Sequence, residues 1–268
     1  MAGILPAATA DRDTGGWSPT IGIVAESSQG VRGIILDWGG VLTNPILDVV
    51  QVWLRSEQID ADSYLAAMRP WIQQAYGPGA GESPVHALER GEVPDSDFEQ
   101  ILAALLVTVD GGPVAAAGLL RRMFAASALQ DDMLDLVREL RRSGLRTGLL
   151  SNSWGISDSY PRHLFAELFD DVVISGEVGM RKPEERIFSL AAGRLGLAPE
   201  QCVFIDDVEG NITAARAFGF MAVHHREPAL TCRELSRLLD AGPAAPAPGA
   251  AGDAAPIGGT VAEPTGPQ

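Results

Sequence analysis

Short apolar runs recur along the chain, each closed by a polar or glycine-containing tip: 33–38, 145–150, 171–174, 202–205 and 220–223. Between the later runs the apolar positions change period. Met133, Leu134, Leu136, Val137 and Leu140 share one helical face that stops at Gly144. A second helical pattern starts with Pro183 in its first turn and runs through Leu195 to Gly196, and a third covers Asn211 to Phe218 before Gly219. Apolar runs alternating with helical stripes predict an α/β, Rossmann-like fold with a central parallel sheet and crossover helices.

The stretch 45–127 breaks this alternation. It carries no strand pattern, yet Phe98, Ile101, Leu102 and Leu105 fall at helical spacing after Pro94-Asp95, and Leu119, Leu120, Met123 and Phe124 repeat the pattern. An all-helical insertion after the first strand would lie over the carboxyl ends of the strands, where open α/β sheets bind ligands. The expected organisation is a core of 31–44 and 128–240 with a helical cap of 45–127. The last 28 residues, 241–268, are mostly Ala, Gly and Pro without aromatic or basic residues, which predicts a disordered tail. Residues 1–30 read as a looser disordered arm.

Composition narrows the classes. The 268 residues are 46% hydrophobic and 21% charged, enough for a sizeable core, and no apolar segment approaches the roughly 20 residues of a membrane helix. A net charge of -15 argues against nucleic acid or an anionic membrane as partner. Cys202 and Cys232 are too few for a disulfide framework, and no secretory signal pattern opens the chain, so a cytoplasmic location is expected. The oligomeric state has no sequence signature.

The chemistry gathers at the tips of the runs. Asp37 ends the first, ahead of Gly39-Gly40; Ser151-Asn152 follow the second; Asp206-Asp207 follow the fourth. Lys182 is the only lysine beside nineteen arginines, which points to a place where a compact ammonium is hard to replace by a planar guanidinium. Two adjacent carboxylates at one strand tip are costly neighbours unless a cation sits among them, and oxygen ligands of this kind suit Mg2+. In this order along the chain, the clusters read as a phosphoryl-transfer site.

These residues resemble the four motifs of the haloacid dehalogenase-like hydrolase superfamily. The likeness is densest from Ser151-Asn152-Ser153-Trp154 through Ser175-Gly176-Glu177-Val178-Gly179-Met180-Arg181-Lys182-Pro183 to Phe204-Ile205-Asp206-Asp207 and Asn211. It is similar in particular to the subgroup of the soluble epoxide hydrolase N-terminal phosphatase domain and the glucose-1-phosphate phosphatase-like proteins, and Leu88-Glu89-Arg90-Gly91-Glu92 resembles that subgroup's cap. The resemblance implies that Asp37 is the nucleophile and a Mg2+ ligand, with the Gly39 carbonyl and Asp207 completing the metal site and Asp206 in or near its outer layer. It further implies that Ser151 binds the phosphoryl group with help from Asn152, that Lys182 holds nucleophile and phosphate together, and that Asn211 orients groups of the site.

Phosphatases of the superfamily usually carry a second Asp two residues after the nucleophile, as general acid and base, and Gly39 stands there instead. That general acid-base step is worth roughly 10²- to 10⁴-fold. Asp158, Glu209 and His86 are the substitutes to consider, with a structural role favoured for His86. Without the acid, good leaving groups such as acyl or aryl phosphates are expected to be preferred. The implied activity is Mg2+-dependent hydrolysis of a small phosphorylated metabolite through an aspartyl phosphate. The alternatives are a metal-independent 2-haloacid dehalogenase, which would leave the doubled Asp unexplained, and a catalytically weak phosphometabolite-binding module. A phosphonate-cleaving enzyme would need a cap lysine, and the insertion has none.

Overall fold

The structure, a computed structural model, describes residues 30–76, 83–155 and 160–240. Most of the arm and all of the tail anticipated from composition, together with Asp158, lie outside the described residues.

Five parallel strands form the sheet: β1 (Gly33–Leu36), β2 (Arg146–Ser151), β3 (Asp171–Ile174), β4 (Cys202–Asp206) and β5 (Met221–His224), in the order β3-β2-β1-β4-β5. They are continuous apolar runs because both faces of the sheet are covered. Ile34, Leu36, Leu149, Val203 and Ile205 point into one core with Leu136, Val137 and Leu140 of helix α6 (Asp131–Arg142). The alternate residues Ile35, Leu150 and Phe204 point into the opposite core, with Ile187, Phe188 and Ala191 of α9 (Glu185–Leu195) and Ile212 and Ala215 of α10 (Glu209–Phe218). α11 (Pro228–Asp240) adds Leu235 and Leu239 to the first face. Between β2 and α9 the described residues include a 3-10 turn (Arg162–Leu164) and two single turns of α-helix, α7 (Phe165–Leu168) and α8 (Ser175–Val178). Helix α9 starts two residues later than the position of Pro183 suggested. The Lys182–Pro183 peptide is cis, and Pro183 belongs to the preceding loop.

Between β1 and α6 the chain forms α1 (Ile46–Ser56), α2 (Ala61–Tyr76), α3 (Pro84–Glu89), α4 (Asp95–Ala103) and α5 (Leu119–Met123), with a separate core built on Trp53, Phe98, Leu102, Leu119 and Leu120. The stripe expected on α4 is only half buried. Phe98 and Leu102 are fully enclosed, whereas Ile101 is exposed because this short helix packs on one narrow side, and Leu105 is exposed beyond the helix end. Among the described residues no helix is long and apolar enough to cross a membrane.

Two junctions tie this helical layer to the sheet layer. Glu89, at the end of α3, is buried and forms an ion pair of 2.5 Å with the buried Arg181, while its backbone carbonyl accepts a hydrogen bond from Ser175 Oγ at 2.5 Å. Arg90 pairs with Glu184 beside it. Gly91, at φ +70°, passes so close that a Cβ would lie 2.7 Å from the Gly176 carbonyl oxygen. The other junction is aromatic: Trp154, three residues past β2, meets Phe98 and Phe124 edge to face at 6.1 and 5.8 Å, and Phe98 in turn meets Trp71.

Candidate active site

Strand register brings the polar tips together. Leu36 pairs with Leu149 on one side and Ile205 on the other, so Asp37, Ser151 and Asp206 emerge from three adjacent strands at one edge of the sheet. The Asp37 backbone N–H still donates to the Ile205 carbonyl, 2.9 Å away, which anchors its side chain at the tip.

Lys182 joins them from the loop before α9. Its Nζ lies 2.7 Å from Asp37 Oδ1 and 2.7 Å from Asp206 Oδ2, and the side chain is 1% exposed. Asn152 fixes the loop rather than the ammonium: Lys182 N–H donates to Asn152 Oδ1 at 2.9 Å, and Asn152 Nδ2 donates to the Lys182 carbonyl at 3.1 Å. Asp206 is fully buried and engaged by protein donors, taking hydrogen bonds from the Val208 backbone at 2.8 Å, from Asn211 Nδ2 at 3.1 Å and from Lys182. Ser151 Oγ shares a hydrogen bond of 2.9 Å with the Tyr160 hydroxyl.

One oxygen each from Asp37, Asp206 and Asp207 falls within a mutual 4.8 Å. Three carboxylates around one ammonium leave an excess of negative charge in a largely buried site. Burial pushes the Asp37 carboxyl up to about 8, against the attraction of Lys182 and with Asp206 and Asp207 pushing the same way. Burial, then the Asp206 charge, pushes Asp207 up to about 6. For Lys182 burial works against the charge, but Asp206 and Asp37 outweigh it and hold the ammonium above its ordinary range.

A divalent cation would balance the two surplus negative charges, and two further features fit one. The Asp207 carboxylate lies against the backbone of Gly40, where a Cβ would come within 2.2 Å of Oδ2, and at φ +76° Gly40 favours the absence of a side chain. Asn211 is 2% exposed and, with Nδ2 committed to the acceptor-only carboxylate of Asp206, keeps Oδ1 without a protein partner beside the cleft. An acceptor there suits a water of a hydrated cation.

The cleft above these groups has a volume of about 540 Å³ and reaches from the sheet edge into the helical layer. Asp37, Gly39, Ser151, Asn152, Lys182, Asp207 and Asn211 all line it, with Asp206 just behind. Position 39 is closed in by Ile46, whose Cδ1 would be 3.2 Å from a Cβ there. Of the substitutes considered for the missing acid, Asp158 lies outside the described residues, and the other two do not line this space. His86 is buried in α3 away from the cleft, and Glu209 is exposed and paired with His224 at 2.7 Å. Tyr160 and Ile46 carried no sequence signal, since neither sits in a periodic run or a motif. Their roles arise only from packing.

The haloacid dehalogenase-like hydrolase family matches residues 31–219. The chain belongs to this family. Among characterised relatives it is similar to the bifunctional epoxide hydrolase 2 of Sus scrofa, 25% identical over 222 residues, covering 78% of this chain and 39% of that protein. The sesquiterpene phosphatase astK of Aspergillus oryzae is 27% identical over 213 residues, covering 78% of this chain and 96% of its own. The chain spans less than two-fifths of the length of its epoxide hydrolase and acyl-CoA dehydrogenase relatives. In fold it resembles the HAD family enzyme bt-2542 of Bacteroides thetaiotaomicron, with a TM-score of 0.53, 22% identity, and coverage of 74% of this chain and 95% of the other. The α/β architecture expected from the alternating pattern is therefore that of a HAD-family hydrolase.

Proposed function

We propose that this hydrolase is a Mg2+-dependent phosphomonoesterase that works through an aspartyl phosphate on Asp37. The observation that carries the proposal is the floor of the cleft, where one buried ammonium bridges Asp37 and Asp206 at 2.7 Å each and Asp207 lies within the same cluster. Asp37 and Asp207, with the Gly39 carbonyl, are the groups that would hold Mg2+, and Asp206 keeps Lys182 and Asn211 in place behind them. When bound, the cation offsets the charge of the nucleophile and the phosphate so that the two anions can approach.

The Asp37 carboxylate attacks phosphorus, forming an O–P bond as the ester P–O bond breaks and the alcohol oxygen leaves with the bonding pair. Water then attacks the phosphorus of the aspartyl phosphate, releasing orthophosphate and restoring the carboxylate. Lys182 stays protonated throughout and donates to the oxygens between nucleophile and phosphate, a pre-aimed donor of the kind whose removal costs about 10²- to 10³-fold. Asn152 acts on that donor by clamping its backbone, and Ser151 with Tyr160 supplies hydroxyls to the same cleft. The name of the fungal relative, a sesquiterpene phosphatase, agrees with phosphate-ester hydrolysis.

The carboxylate cluster favours this reading over carbon-halogen hydrolysis, for which three neighbouring acids have no use. Phosphate release from a panel of esters, with and without Mg2+ and with Asp37→Asn as the blank, tests it. Mass spectrometry after incubation with a phosphate donor should find a phosphoryl adduct on Asp37. Halide release from a 2-haloacid in chelator, with no phosphate release from any ester, would overturn it.

A further inference from the structure

The floor of the cleft is polar and its walls are not. Trp38, Ile46, Ile72, Phe124 and Trp154 face the space beyond the phosphate end. The polar side chains that share these walls are mostly committed elsewhere. Thr43 Oγ1 accepts from Gly40 N–H at 3.1 Å and donates to the Asn44 carbonyl, and Glu89 is ion-paired with Arg181. Ser127 is exposed at the rim. A substrate with hydroxyls or charges on its alcohol half would lose water there without gaining partners, a penalty of about 10-fold or more for each group. An apolar half would gain about 4-fold in binding for each buried methylene.

The leaving group is constrained as well. Among the described lining residues the carboxyl groups are Asp37 and Asp207, which form the floor, and the ion-paired Glu89; Ile46 occupies the space beside position 39. Among the described residues, an oxygen that departs here finds no carboxylic acid free to protonate it, which suits a phenol far better than an alkanol.

We propose that the site selects monophosphate esters of apolar alcohols, phenols foremost, with the aromatic and aliphatic walls of the cleft setting specificity. This rests on the phosphatase reading above, and the test separates the two. In a series of phenyl phosphates with para-methyl, para-propyl and para-pentyl groups the leaving-group chemistry stays constant while apolar length grows, and phosphotyrosine provides a para-substituted counterpart with charged groups. The expected result is a rise in kcat/KM of about 4-fold per methylene until the cleft is filled, with phosphotyrosine at least about 10-fold below the propyl ester. Ile72→Ser, at a partly exposed wall position on α2, should raise KM for the pentyl ester by a larger factor than for phenyl phosphate, and an equal factor for both would count against the apolar wall. A flat series, or phosphotyrosine or a sugar phosphate turned over best, would overturn the proposal while leaving the phosphatase reading intact. If no ester releases phosphate above the Asp37→Asn blank, that reading fails, and calorimetry still decides the pocket. Tighter binding of propylphenyl phosphate than of orthophosphate and phosphotyrosine to the Mg2+-loaded Asp37→Asn protein supports the apolar subsite, and equal binding refutes it.

Discussion

Asp37→Asn should do two things at once: end turnover and stabilise the protein in the presence of a chelator. The buried Asp37 carboxyl is pushed from its ordinary 3.8 up to about 8, so between those values the folded chain keeps a proton that the unfolded chain has lost. The contribution of Asp37 to stability is then fully present below pH 3.8 and is lost as pH rises toward 8. From 3.8 to pH 7 this amounts to at most about 4 kcal/mol, at about 1.36 kcal/mol per pH unit. The neighbouring Asp207 shares the effect, so the loss assigned to Asp37 alone is smaller. Asparagine keeps the shape and can still accept from Lys182 while carrying no charge. Even a quarter of the bound, about 1 kcal/mol, would raise the variant's Tm by about 2–4 °C at neutral pH for a fold of this size. Melting curves of both proteins in chelator, from pH 4.5 to 8, should diverge with rising pH. Mg2+ at about 100 times its Kd should stabilise the wild type by about 2.7 kcal/mol and narrow the gap. Curves that run parallel across this range would refute the picture of surplus negative charge at the floor.

Three further outcomes follow from the same geometry. Lys182→Arg should lower kcat by about 100-fold or more, since a planar fork cannot reproduce one nitrogen 2.7 Å from two carboxylates; wild-type rates would remove Lys182 from the mechanism. Gly40→Ala should weaken Mg2+ binding, measured by calorimetry, because its Cβ would displace the Asp207 carboxylate; unchanged affinity would argue against Asp207 as a ligand. Glu89→Ala leaves the buried Arg181 without its carboxylate and should cost about 3–5 kcal/mol in denaturant unfolding, and a loss under about 1 kcal/mol would show the pair to be unimportant to stability.

The strands were legible because a sheet covered on both faces needs uninterrupted apolar runs, and 171–174 matches β3 residue for residue. The helix ends at Gly196 and Gly219 were legible too, since both glycines take the left-handed conformation that closes a helix. Pro183 misled because proline marks helix starts and loops alike. Ile101 misled because helical spacing does not say how wide a buried face must be, and Leu105 because it does not say where the helix stops. In the site, the residues at strand tips could be placed from topology alone, as Asp37, Ser151 and Asp206 show. What could not be read are contacts set by how loops and side chains pack: Asn152 on the Lys182 backbone, Tyr160 on Ser151, and Ile46 beside Gly39.

Trp154 belongs by sequence to the sheet layer and by packing to the helices above it. Its indole stands among Phe98 and Phe124 only three residues beyond Ser151. A chimera that grafts these helices onto a foreign catalytic half would therefore arrive with a hole the size of a tryptophan, and one that keeps the loop but swaps the helices would leave a bare indole facing solvent. The two halves have to be exchanged, or to evolve, as a set.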